Sequence, residues 1–131
     1  MTNLILQASS PSSSLHFSNK NGEYFDLEIT TPALSARKKI FIYTYASSNG
    51  FVDFFERLAS FQRPWPHHEK WETLEGELKL DATCSASGLV EIKVNLQNMV
   101  ENDNWSLKCT MIFDFGSLAK VSSDAKRFME T

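Results

Sequence analysis

Apolar and polar residues alternate along most of this chain, and the alternation stops only where turn residues cluster. Leu4 to Ala8 and Leu15 to Ser18 read as short strands around Ser9-Ser10-Pro11-Ser12-Ser13-Ser14, a Ser/Pro stretch of loop character. Asn19-Lys20-Asn21-Gly22 predicts a hairpin turn, because Asn and Gly tolerate positive φ. Over Glu23 to Thr30, Phe25, Leu27 and Ile29 take one face, while Tyr24, Asp26, Glu28 and Thr30 take the other. After Pro32 a long strand is expected from about Leu34 to Tyr45, with Leu34, Ala36, Ile40, Ile42 and Thr44 on one side. The opposite side begins polar at Ser35, Arg37 and Lys39, then turns aromatic at Phe41, Tyr43 and Tyr45. A strand apolar on both sides is usually central and covered twice. An aromatic ligand platform is the alternative.

The period changes near Phe51. Phe51, Phe54, Phe55, Leu58 and Ala59 follow i, i+3, i+4, i+7, i+8, the spacing of one helical face. Ser47-Ser48-Asn49-Gly50 offers N-cap candidates, and Asp53 suits the positive end of the helix dipole. The helix is expected to end near Gln62 or Arg63, since Pro64 disfavours helical geometry in the residue before it. Large apolar side chains contribute about 1.5–3 kcal/mol each when buried, so this face belongs to a core.

Period two then returns for three runs. Leu74, Gly76, Leu78, Leu80, Ala82 and Cys84 share one phase, with Glu75, Glu77, Lys79, Asp81 and Thr83 on the other. Beyond Ser85-Ala86-Ser87-Gly88, Val90, Ile92, Val94 and Leu96 alternate with Glu91, Lys93, Asn95 and Gln97. After Glu101-Asn102-Asp103-Asn104 come Trp105, Leu107, Cys109, Met111, Phe113 and Phe115. Three such runs with short turns predict an antiparallel meander with one wet face. Leu118, Val121, Ala125 and Phe128 predict a C-terminal helix. The expected fold is therefore α+β and a single domain over 1–131: an antiparallel sheet of about six to seven strands curled around one amphipathic helix, with a short C-terminal helix.

Composition narrows the function classes. A chain of 131 residues that is 42% hydrophobic can bury a core without staples. Its net charge of −3 argues against a nucleic-acid partner, and Arg37-Lys38-Lys39 is too short a basic cluster to reverse that. The N-terminus lacks a signal-peptide pattern, and no apolar run reaches the roughly 20 residues of a membrane helix. No membrane contact and a cytoplasmic location are the expectations. Cys84 and Cys109 fall on apolar strand phases and read as reduced core residues; a disulfide between neighbouring strands is compatible with the pattern but not required by it.

Candidate chemistry concentrates in Arg63-Pro64-Trp65-Pro66-His67-His68-Glu69-Lys70-Trp71. Two prolines stiffen this connector, and its tryptophans are either a rigid contact surface or a lid over the sheet. His67, His68 and Glu69 meet no metal-ligand spacing. No Gly-x-Ser-x-Gly elbow, activated cysteine or glycine-rich phosphate loop is present, so no catalytic residue, cofactor or metal is expected. The pairs Glu75/Glu77 and Asp81/Glu91 are expected on a solvated face among Lys79 and Lys93.

Phe54, Leu58-Ala59, Pro64-Trp65, Lys70-Trp71 and Thr73-Leu74-Glu75-Gly76 form a pattern that continues through Leu78, Leu80, Ala82-Thr83, Gly88, Val90, Ile92, Val94, Leu96 and Trp105. Over about residues 50 to 115 it resembles an uncharacterised bacterial family of small single-domain proteins, a domain of unknown function. The family pattern has a His after the turn glycine where this chain has Leu89. In size, acidity and lack of catalytic motifs such proteins resemble the immunity proteins that neutralise bacterial toxins, an analogy that rests on no shared site. The functional expectation is a non-catalytic domain binding a protein partner, and in its narrower form one of this immunity type. Its contact residues would be Arg63, Trp65, His67, His68, Glu69, Trp71, Glu75, Glu77, Asp81 and Glu91. The alternative is a small-ligand-binding or enzymatic domain with a pocket between helix and sheet, lined by Phe41, Tyr43, Tyr45 and Trp71 with a His nearby.

Overall fold

A computed structural model describes residues 3–42 and 45–130, the side chains of residues 45–49 excepted. Two four-stranded antiparallel sheets replace the expected single sheet, and each is followed by a helix. The first sheet runs in simple order through β1 (Leu4–Gln7), β2 (Ser14–Asn21), β3 (Tyr24–Thr30) and β4 (Ser35–Phe41), and α1 (Tyr45–Ser60) follows it. The second comprises β5 (Glu69–Glu72), β6 (Leu78–Cys84), β7 (Leu89–Val100) and β8 (Asp103–Asp114), also in chain order. A short 3₁₀ turn at Phe115–Ser117 leads into α2 (Leu118–Met129).

Period two is realised strand by strand. Leu4, Leu6, Leu15, Phe17, Phe25, Leu27, Ile29 and Ile40 bury one face of the first sheet. Leu78, Leu80, Ala82, Cys84, Val90, Ile92, Val94 and Leu96 bury one face of the second. All join a single core, which the phenylalanine face of α1 fills. The Phe51 ring meets Phe17 at 5.3 Å, Phe55 at 5.1 Å and Trp71 at 5.2 Å between centroids. From α2, Phe128 reaches Phe25 at 5.9 Å. Edge-on ring contacts of this kind add to the burial of area itself.

Four local expectations need correction. The chain continues as strand through Asn21, and the hairpin turns at Gly22 and Glu23, with Asn21 opposite Tyr24. Asn19 takes φ 52° at a register shift instead, an irregularity that Asn accommodates while donating to Asp26 at 2.9 Å. Leu34 is exposed and lies before β4, because a turn closes from the Thr31 N–H to the Leu34 carbonyl at 2.8 Å. The strand it precedes is an edge, not a doubly covered centre. Helix α1 already includes Tyr45, so the segment from Ser47 to Gly50 lies inside it rather than capping it. The expected strand positions Tyr43 and Thr44 lie outside the described residues.

A short bridge ties the two sheets together at one end. Ser10 pairs with Ile112 of β8, and the Ser9 backbone N–H and hydroxyl both donate to the Ile112 carbonyl, at 2.8 and 2.9 Å. The Ser/Pro loop is thus docked along β8.

Candidate functional site

The Arg63–Trp71 segment is held from inside. Trp65 is only 2% exposed, stacks on Phe61 at 4.6 Å and donates its indole N–H to the Ala82 carbonyl at 3.2 Å. Its own carbonyl accepts the Cys84 N–H at 2.9 Å. Trp71 is 8% exposed and lies against Phe51 of α1. Both tryptophans are core lids, one of the two alternatives the sequence left open, so Trp65 and Trp71 leave the set of expected contact residues. Their area and geometry suit a space between loop and sheet that smaller residues would leave empty.

Anchoring the tryptophans turns the other loop residues outward. Arg63, Pro64, Pro66, His67 and His68 are exposed. His67 Nε2 lies 3.2 Å from Glu69, whose other oxygen accepts the Arg57 Nε–H of α1 at 3.0 Å. His68 Nδ1 lies 2.8 Å from Asp81 of β6. The loop therefore forms a stiff rim joined to the second sheet through His68 and Asp81.

The four acids expected on one face separate. Glu75 sits exposed in the turn after Thr73, where Gly76 takes φ +74° and donates its N–H to the Thr73 carbonyl at 2.9 Å. That turn also removes Leu74 and Gly76 from strand phase, leaving Leu74 66% exposed. Glu77 is 7% exposed and bonds Lys38 Nζ of β4 at 2.8 Å. The same ammonium donates to Asn98 Oδ1 at 2.8 Å. Lys38 occupies the inward phase of β4 between Ala36 and Ile40, so the seam between the sheets is closed by a buried ion pair. Asp81 and Glu91 do lie on the outer face of the second sheet, opposite Lys93 and Thr83 respectively.

That outer face holds a trough of about 810 Å³ crossing all four strands, where Lys70, Lys79, Lys93 and Lys108 stand among Glu72 and Asp81. The expected acidic face is thus locally basic: four ammonium groups against two carboxylates in a chain of net charge −3. Sequence reasoning counted Lys79 and Lys93 only as neighbours of acids. The missed signal was one lysine per strand, which gains meaning only once the register is known. The alternative pocket between helix and sheet is not formed by Trp71, which packs on Phe51; of its other lining residues, Phe41 packs against Tyr24 at 5.9 Å, and Tyr43 and the Tyr45 side chain lie outside the described residues.

No cluster of three or more His, Cys, Asp or Glu suited to a metal ion occurs among the described residues. Both thiols are free, and burial raises the pKa of each; a backbone hydrogen bond involving Trp65 partly offsets the shift at Cys84. Among the described residues no helix is long and apolar enough to cross a membrane.

The architecture is that of a small α+β domain built as two successive units of four antiparallel strands and a helix. The chain belongs to a family of unknown function (DUF6228), whose model matches residues 6–131. No curated protein matches it. A solved structure of Trypanosoma bruciei MRP1/MRP2 is similar, with a TM-score of 0.53 and 12% identity over 95% of this chain and 80% of that one. At that identity the likeness concerns the fold alone.

Proposed function

We propose that the protein is a non-catalytic domain that binds a protein partner through the Arg63–His68 rim and the adjoining outer face of β5–β8. The supporting observation is the rim itself: Pro64, Pro66, His67 and His68 are exposed on a loop pinned by two buried tryptophans. Such a loop loses little entropy when a partner docks. It is also continuous with the trough, through the His68–Asp81 contact. An immunity-type role, a bacterial origin and a cytoplasmic location form the narrower version of this proposal, resting on size, acidity and the resemblance described above.

The test is co-purification with the product of a neighbouring gene, repeated with His67→Glu and Pro66→Asp in one chain. Both positions are exposed, so the fold should be retained and the affinity should drop at least about tenfold, as for truncated contact residues. Undiminished capture by that variant removes the rim from the reading. A second reading, a small-ligand domain, draws on the trough, whose volume lies in the usual range for such sites. A thermal-shift screen against metabolites separates the two, since a bound ligand raises the unfolding temperature by mass action.

A further inference from the structure

The register of the second sheet sorts its outer side chains into two rows. Lys70, Asp81, Lys93 and Thr110 are successive partners across β5, β6, β7 and β8. Glu72, Lys79, Asn95 and Lys108 form the next row. The lysines therefore zigzag, one on each strand, every step a diagonal to the neighbouring strand. Diagonal neighbours of this kind lie about 7–8 Å apart at the backbone, close enough for like charges to repel.

The complementary zigzag is where the pattern breaks. On β5 and β6 it carries carboxylates, Glu72 and Asp81; on β7 and β8 it carries the neutral Asn95 and Thr110. Were those two acidic, the face would be a complete checkerboard of cross-strand pairs, and structural reasons alone would explain it. Moreover, both carboxylates are already engaged: Glu72 lies 3.7 Å from Lys79, and Asp81 turns to His68. Lys93 and Lys108 form no ion pair among the described residues. Between them, Asn95 Oδ1 is a buried acceptor without a hydrogen-bond partner, so no bond on that oxygen holds the amide in its present orientation. The Asn95 amide can turn its NH₂ toward an incoming anion, and the Thr110 hydroxyl can donate to the same group.

We infer that the β7–β8 half of the trough binds an acidic segment of the partner protein, its carboxylates held by Lys93 and Lys108 with Asn95 and Thr110 as neutral donors. This rests on the partner-binding reading above and names the chemistry the partner brings. Charge complementarity selects the occupant. Trp71 is the one aromatic residue lining the trough, and it is buried and packs against Phe51, so no open ring face is presented for a base to stack on, the usual second component of single-strand binding. The dimensions agree as well: four strands at about 4.8 Å spacing make a floor that four to five extended residues cross, with alternate side chains directed downward.

The experiment titrates the full chain with a fluorescein-labelled hexaglutamate peptide, followed by anisotropy at low salt. Binding should weaken steeply toward about 1 M salt, where the screening length falls to roughly 3 Å. Lys93→Glu with Lys108→Glu should reduce affinity by at least about tenfold, as expected for lost charge-assisted hydrogen bonds, whereas the double arginine variant should retain it. Asn95→Asp with Thr110→Glu completes the checkerboard and serves as the control for folding. It should lose binding to the same degree while its unfolding temperature stays level or rises. Hexaglutamate binding that ignores either the lysine-to-glutamate pair or the Asn95→Asp, Thr110→Glu pair overturns the inference. So does tighter, lysine-dependent binding of an oligothymidylate, which would make the trough a nucleic-acid site. A native partner still captured in full by the lysine-reversal variant keeps the partner reading and overturns the trough. Lysine-dependent peptide binding by a chain that captures no partner does the opposite.

Discussion

The seam between the two sheets and the outer face of the second sheet both carry lysines, and they treat them in opposite ways. At the seam, Lys38 is 11% exposed and has both a carboxylate and an amide oxygen at 2.8 Å. On the outer face, Lys93 and Lys108 are exposed and without ion pairs among the described residues. The difference follows from solvent. A cation withdrawn from water loses hydration that only well-placed partners offset, so the seam must match its charge. Water screens the outer cations, so the fold tolerates them unmatched, and they stay available to an outside anion.

Removing one side of the seam pair should have the largest effect. Glu77→Ala leaves a buried ammonium uncompensated and should destabilise by about 3–5 kcal/mol in urea unfolding. Replacing both partners, Lys38→Met with Glu77→Leu, should recover most of that loss; a double variant as weak as the single one would mean the pair is not the cause. Asn98→Ala removes the amide partner of Lys38 together with the bonds its NH₂ donates to the Asp103 carbonyl and carboxylate, and a loss of at least about 1.5–3 kcal/mol, the range for a hydrogen bond to a charged group, is expected. Here a change below half a kcal/mol would place Lys38 in solvent.

The outer face should respond weakly. Lys93→Ala and Lys108→Ala should each stay within about 0.5 kcal/mol of the parent, as surface substitutions do. Asn95→Asp alone should stay within about 0.5 kcal/mol of the parent, because pairing with Lys79 and Lys108 across the strands is offset by desolvation of the carboxylate oxygen that replaces the buried Asn95 Oδ1. A clear loss on either lysine substitution would show that these side chains support the fold rather than wait for a ligand.

The smallest effect concerns pH. Burial raises both thiols, so the folded chain holds their protons more tightly than the unfolded chain does. Stability should therefore be unaffected below about pH 8.5, the ordinary thiol value, and decline as pH rises above it. Cys84→Ala with Cys109→Ala should flatten that alkaline decline when unfolding free energy is measured across the range.

Much of the architecture was legible residue by residue. The helix periodicity at Phe51, Phe54, Phe55 and Leu58 and the meander from Leu78 to Phe113 correspond to buried positions in α1 and β6–β8. Turn positions were less legible: the competing signals at Asn19 and Gly22 are both real, one a bulge and the other a turn. Glu77 was not legible, because a charged residue next to a strand reads as solvent-facing. Its burial depends on Lys38, 39 positions earlier and equally unreadable alone. The tryptophans were ambiguous for the same reason, since lid and contact surface differ only in what lies beneath them.

By itself the sequence determined which residues shun water and at what period they recur, because side-chain direction along a strand or helix is a local consequence of backbone geometry. It thereby set the elements and their dry faces. Tertiary structure alone decided that there are two sheets instead of one, that Trp65 and Trp71 turn inward, and that four lysines from four strands share one trough. Those outcomes depend on pairing register and on contacts between residues distant in the chain, which no local pattern encodes.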